Sequence, residues 1–249
     1  MTDPNHVILG TEVPMPVRIR SARCFVAGFS ASASAVRHAI AARGDVDLKP
    51  LQIRPGRAVC MLVFVDYVDG DLGPYNEFGV CFLVEDPARD STSRVGGLRS
   101  LISGDAHALI HELPVDGDFT LAAGRGIWGF PKVLADFDVD HGSSVKAGRV
   151  SQDGRLVADL TVRRGIRVPD ASSETVLQAY SQLEGVTRRT PWRLTSTAGT
   201  RTRVGGAALR LGDHPIADEL RRLQLSRRAL ISSSVADLSM TFEDAVVVS

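Results

Sequence analysis

The run Gly124-Arg125-Gly126-Ile127-Trp128-Gly129-Phe130-Pro131-Lys132-Val133-Leu134 sets one lysine among apolar neighbours on a glycine-rich backbone. Its three glycines permit positive φ and close backbone approach, while Pro131 fixes its own φ and biases Phe130 towards an extended conformation. Folding around Ile127, Trp128, Phe130, Val133 and Leu134 would strip water from the Lys132 amine, and desolvation disfavours the ammonium form. An ordinary lysine, with a pKa of about 10.4, is neutral in roughly one molecule in a few thousand at pH 7. A shift of ~3 units, worth ~4 kcal/mol, makes the free amine a major species that attacks carbonyl carbon. The competing reading is that the lysine stem covers apolar surface while its ammonium reaches water, and that the aromatics fill a core. A lysine nucleophile also needs a group that moves protons. Glu77, at the head of the apolar run Phe78-Gly79-Val80-Cys81-Phe82-Leu83-Val84, offers a carboxylate that sits either at a solvent-facing rim or inside a site.

The elements that must hold these residues read as strands for the most part. Residues 17–29, 46–53, 58–68, 75–85 and 106–113 have β-type patterning, the third of them nearly all apolar as in a central strand. Turn residues at 69–74 join two of these into a hairpin, and Asp116-Gly117-Asp118 turns the chain into residues 119–122, which feed the lysine motif. Beyond Lys132, residues 134–139, 144–150, 156–162, 192–197, 202–211, 229–235 and 240–248 are extended, with Gln152-Asp153-Gly154-Arg155 as a hairpin turn; residues 165–187 carry no clear pattern. Two helices stand out. One follows Ser30, Ser32 or Ser34 as cap, buries Val36 and Ile40 and ends at Gly44; the other spans 216–225, with Ile216, Leu220 and Leu223 on one side. The expected fold class is α+β, built on antiparallel sheet in a single domain of residues 1–249. Residues 1–16 read as a loosely held arm broken by Pro4, Pro14 and Pro16, and residues 86–105 as a long excursion suited to a lid or an oligomer contact.

The motif from Gly124 to Lys132 resembles the signature of the acetoacetate decarboxylase family, whose lysine at this place forms a Schiff base with a β-keto acid. Leu72-Gly73-Pro74-Tyr75-Asn76-Glu77 is similar to the family's Gly-x-Tyr-x-Glu segment, and Gly212-Asp213-His214-Pro215-Ile216-Ala217 to its C-terminal region, in the family's order over most of the chain. The resemblance implies a barrel-like β core with flanking helices, Lys132 as nucleophile, Glu77 in the active site as proton carrier and Tyr75 helping it. Trp128 and Phe130 are then expected to line the substrate. An arginine should hold the substrate carboxylate through its planar fork; Arg20 or Arg23 is the candidate, although a position-by-position comparison puts Ala22 nearest the family's place. Three departures stand out. Val133 replaces a second lysine, Gly126 replaces a glutamate, and the apolar Leu62 falls where the family has a further active-site glutamate. The expected function is a Schiff-base lyase, decarboxylating an acetoacetate-like β-keto acid. Its rivals are an aldolase-dehydratase or related enzyme on another oxo-acid, and a binder that kept the pocket and lost turnover.

Composition narrows the partners. Hydrophobic residues make up 44% and charged residues 23% of the 249, and no apolar run approaches the ~20 residues that cross a bilayer, so no membrane partner is expected. Basic and acidic residues balance at 29 each, and the Arg pairs are scattered without interleaved aromatics, which argues against a nucleic-acid partner. Cys24, Cys60 and Cys81 lie singly in apolar runs and read as small buried hydrophobes, neither zinc ligands nor a disulfide framework. His107 and His111, four apart on a strand, read as structural or surface histidines. No cofactor and no metal is expected; the partner is a small oxo-acid, the location cytoplasmic, and the family resemblance implies a homo-oligomer.

Overall fold

The computed structural model describes residues 5–44, 46–87, 107–170 and 174–248. In chain order a hairpin of β1 (His6–Ile8) and β2 (Thr11–Val13) precedes β3 (Val17–Ser32), helix α1 (Ala33–Ala41), β4 (Gln52–Arg54), β5 (Arg57–Gly70), β6 (Tyr75–Leu83) and β7 (His107–Val115). Helix α2 (Asp118–Trp128) follows, then β8 (Lys132–Leu134), β9 (Asp136–Asp140), β10 (Lys146–Gln152), β11 (Arg155–Val162), β12 (Ile166–Arg167), β13 (Thr175–Leu183) and β14 (Val186–Ala198). The chain closes with β15 (Arg201–Val204), β16 (Ala207–Leu211), helix α3 (Pro215–Arg222), β17 (Ile231–Phe242) and β18 (Val246–Val247).

Seven of these strands form a closed ring in the order β17-β3-β5-β6-β7-β13-β14, with β14 returning to β17. Every pairing in the ring is antiparallel except β7 with β13. Closure removes the sheet edges that these long strands would otherwise expose. Alternation along each strand then gives the wall two apolar faces. Phe25, Ala27, Phe29, Leu62, Phe64, Phe78, Val80 and Phe82 face outward onto a second sheet, ordered β16-β11-β10-β9, and onto α1 and α3. The alternate positions line the lumen, where Ala22, Tyr67, Tyr75, Val115, Ala179, Leu194 and Met240 bring all seven strands into one cluster. This is the barrel-like α+β architecture expected from the sequence.

Several boundaries differ from expectation for physical reasons. Residues 46–51 are not a strand: only Gln52–Arg54 pairs with β5, although Leu48 is buried. The stretch 165–187, without a clear pattern in the sequence, contains β12 and the nine-residue β13, which is inserted in parallel beside β7, and the expected strand 202–211 is broken by Gly205 and Gly206 at positive φ into β15 and β16, which join different sheets. The N-terminal arm is no loose arm from residue 6 onward, because its hairpin sends Val13 and Met15 into the lumen cluster. Cys60 and Cys81 are buried as expected, whereas Cys24 is half-buried. The excursion at 86–105 lies almost wholly outside the described residues. Among those described, no helix is long and apolar enough to cross a membrane.

The largest correction concerns the lysine motif itself. Its first half is the C-terminal half of a helix, α2, beyond the two that the sequence predicts. Glycine disfavours helix by up to ~1 kcal/mol relative to alanine, so Gly124 and Gly126 hid a helix that tertiary packing imposes. The helix ends at Gly129, whose φ of 63° is the left-handed cap that L side chains resist, with its N–H on the Arg125 carbonyl. Phe130 N–H closes onto Gly124 O at 2.9 Å, and Pro131 prevents continuation.

Candidate active site

That cap reverses the chain, so Lys132, first residue of β8 and paired with Leu113 of β7, sends its side chain back beneath α2. The stem crosses the helix at Gly124, where an added Cβ would stand 2.5 Å from Lys132 Cδ and 2.6 Å from Cε. Gly124 therefore serves close approach, whereas the turn is served by Gly129. Lys132 is only 3% exposed. Its Nζ donates to Thr120 Oγ1 at 2.8 Å, lies 3.0 Å from Glu77 Oε2 and sits 4.9 Å over the Tyr75 ring. Glu77, 5% exposed, is equally enclosed and accepts a second hydrogen bond on Oε1 from the Tyr67 hydroxyl at 3.0 Å.

The wall explains the arrangement. Period-two alternation puts Tyr75 and Glu77 of β6 on the lumen face, and the β5–β6 register sets Tyr67 directly opposite Tyr75, with their rings stacked at 4.3 Å. Thr120 comes from the first turn of α2, four residues before Gly124 and hence on the same face. Sequence reasoning found Lys132, Glu77 and Tyr75 and missed Thr120 and Tyr67. The helical i, i+4 relation and the cross-strand pair were the available signals, and both needed the elements to be known.

Burial pushes the Lys132 pKa below its ordinary value, and the charge and hydrogen bond of Glu77 partly restore it. Burial, with the Glu77 charge adding, holds the Tyr67 and Tyr75 phenols well above their usual range, so both keep their protons. The Cys81 thiol is pushed up to about 12 by burial and by Glu77, which makes it inert as a nucleophile at neutral pH. The amine is thus the nucleophile this lumen can offer.

The two candidate arginines lie elsewhere. Arg20 pairs with Asp69 at 2.7 Å and Asp71 at 2.6 Å, and Arg23 with Asp66 at 2.7 Å, on the outer surface, with both arginine side chains about half exposed. Between them Ala22 turns inward, buried opposite Tyr67. Trp128 and Phe130 do belong to the lumen cluster; they stack with centroids 5.7 Å apart, and Trp128 Nε1 donates to Glu243 O at 2.8 Å. Leu62 faces the outer sheet, so its apolar character takes nothing from the site; Met61, beside it, is the residue packed against the lumen.

His107 and His111 lie on strand β7, as expected. His111 joins Glu112 and Glu219 in a group with metal-ligand spacing, but the Arg43 guanidinium fills it, bridging Glu112 and Glu219 while His111 Nε2 meets Glu219 at 2.7 Å. That internal cation gives the cluster a structural role.

Replacing Gly124 by alanine tests the crossing. In an ordinary helix the change stabilises by up to ~1 kcal/mol, whereas here the methyl group must displace the buried lysine stem. The expected outcome is a folded protein, by circular dichroism, in which reductive trapping of a carbonyl on Lys132 slows at least about tenfold. Unchanged trapping would show that the amine does not depend on this contact.

A closed β-barrel that stores a dry, carboxylate-paired lysine in its lumen is the class that fold and site define together. The model of the acetoacetate decarboxylase family matches residues 9–248, and the chain belongs to that family. Solved structures agree in fold. Acetoacetate decarboxylase from Legionella pneumophila superposes with a TM-score of 0.65 at 19% identity, covering 94% of this chain and 87% of that one. The enduracididine biosynthesis enzyme MppR complexed with pyruvate gives 0.65 at 15%, over 95% and 91%. An acetoacetate decarboxylase-like enzyme from Sphingomonas wittichii RW1 gives 0.58 at 11%, over 99% and 100%. A search of curated protein sequences returned no match.

Proposed function

We propose that the protein is a Schiff-base-forming enzyme that condenses Lys132 with a small oxo compound. The observation that carries this reading is the buried amine 3.0 Å from a buried carboxylate, its pKa lowered by desolvation. Glu77 takes the ammonium proton, and the neutral amine adds to the carbonyl carbon. Glu77 returns its proton to the carbinolamine hydroxyl, which leaves as water to give an iminium, so the carboxylate is regenerated. The iminium then accepts an electron pair released at the neighbouring carbon. Where that pair comes from a C–H bond, Glu77 receives that proton and the route is aldol, retro-aldol or dehydration chemistry. Tyr67 holds the carboxylate in place, and the Thr120 hydroxyl fixes the direction of the amine.

The inward Ala22 and the outward Arg20 and Arg23 favour this proton-transfer branch on a carbonyl compound whose carboxylate, if it has one, is not clamped by those arginines. Decarboxylation of an acetoacetate-like β-keto acid is the second reading. Its support is the dryness of the lumen, which disfavours a carboxylate against the neutral carbon dioxide it releases. Pyruvate bound to MppR keeps oxo-acids among the substrates to be tried.

The test is borohydride reduction with acetoacetate, pyruvate and an uncharged ketone and aldehyde in turn, followed by peptide mapping. An adduct on Lys132 is expected, and carbon dioxide release with acetoacetate separates the two branches. No adduct with any of these carbonyls would leave a binding protein in place of an enzyme.

A further inference from the structure

A cleft of about 510 Å³ lies on the opposite face of α2 from the lysine, lined by Leu121, Ala122, Arg125, Gly126, Leu183, Glu184, Val186 and Arg188. The helix itself separates the two places. Thr120, Ala123, Gly124 and Ile127 face the barrel, while Leu121, Ala122, Arg125 and Gly126 face the turn that joins β13 to β14. We propose that this cleft is a second ligand site, for an organic monocarboxylate with an apolar body.

Three observations select that ligand. The volume falls within the roughly 300–1,000 Å³ of small-ligand sites, and Leu121, Ala122, Leu183 and Val186 supply apolar walls. The charges sum to one excess cation: Arg125 faces Glu184 across a loose 3.6 Å pair, while Arg188 has no ion-pair partner among the described residues. The guanidinium of Arg188 lies over the C-terminal end of α2, against Gly129, where any Cβ would collide with its Nη1. A planar fork beside apolar walls recognises a carboxylate by two parallel hydrogen bonds and leaves the ligand's hydrocarbon part to the walls. Arg125 in addition donates to the Lys132 carbonyl at 3.3 Å, so the cleft and the backbone of the nucleophile share one residue.

Octanoate is the probe, titrated calorimetrically into the full-length protein and into three variants. Arg188→Gln removes the unpaired cation. Gly126→Glu adds a carboxylate at a position where a new Cβ meets only Ile8 Cδ1, at 3.4 Å. Lys132→Met removes the cation of the lumen and leaves the cleft untouched. The expected result is saturable binding that weakens at least tenfold in the first two variants and stays within twofold of wild type in the third. Binding lost in Lys132→Met but kept in Arg188→Gln would place the ligand in the lumen and overturn the proposal, as would the absence of saturable binding. None of these readouts uses turnover, so a failure of the Schiff-base reading leaves this test intact.

Discussion

Replacing Lys132 by methionine is expected to abolish covalent capture of carbonyl compounds and to lower turnover by roughly 10⁴-fold or more, the order seen when a covalent nucleophile is deleted. Methionine matches the lysine stem in length and keeps the crossing beneath Gly124, so the loss reports the amine. The same variant strands Glu77, a buried carboxylate whose cationic partner at 3.0 Å has gone. Breaking one side of a buried pair costs about 3–5 kcal/mol, whereas replacing both sides by neutral groups is often neutral or stabilising by about 1–4 kcal/mol. The double variant Lys132→Met/Glu77→Gln should therefore recover the stability the single variant loses. The pH dependence has a definite sign. In the folded protein the Lys132 pKa is lowered, whereas in the unfolded chain it sits near ~10.4. Between those two values the unfolded chain binds more protons, so wild-type stability rises with pH across that window. The double variant lacks this titration. Its advantage over wild type is largest below the folded pKa and shrinks as pH climbs towards ~10.4. Urea midpoints at neutral and alkaline pH measure this, and an advantage that grows with pH would mean the amine is not destabilised by folding.

Stability and chemistry thus oppose one another at one residue, which is why a lysine in an apolar run was a legible signal. Its partner was legible too, since Glu77 heads an apolar strand and alternation places Tyr75 beside it. What escaped the sequence depended on relations between elements. Arg20 and Arg23 are three apart, an odd spacing that in a regular strand points them to opposite faces. Register shifts between Ile19 and Ala22 change the parity, so both turn outward, to Asp66 and Asp69 of β5 and to Asp71 just beyond it, and Ala22 between them turns in. Nothing local announces such bulges. Helix α2 was hidden for the opposite reason: Gly124 and Gly126 disfavour helix locally, and the helix exists because its inner face packs Ala123, Ile127 and Trp128 into the lumen.

Glu77→Gln separates the two tasks assigned to the carboxylate, and its two effects run in opposite directions. As a charge, Glu77 raises the Lys132 pKa against the pull of burial. Glutamine keeps the size and can still accept from Tyr67, but it removes that charge, so the amine becomes free at lower pH. Reductive trapping by a simple ketone should then persist, with its pH midpoint shifted downward. As a base, Glu77 takes the proton from the carbon beside the iminium, and glutamine cannot. Loss of a positioned general base costs about 10²–10⁴-fold, so turnover should fall by that factor while the adduct still forms. The two readouts discriminate sharply. A variant that traps and turns over like wild type would remove Glu77 from the chemistry. One that traps nothing would make Glu77 the indispensable acceptor of the ammonium proton, with no substitute from solvent, since the pKa argument alone predicts easier capture. Persistent trapping at lower pH, joined to lost turnover, is the combination that a buried amine and a single proton carrier 3.0 Å apart require.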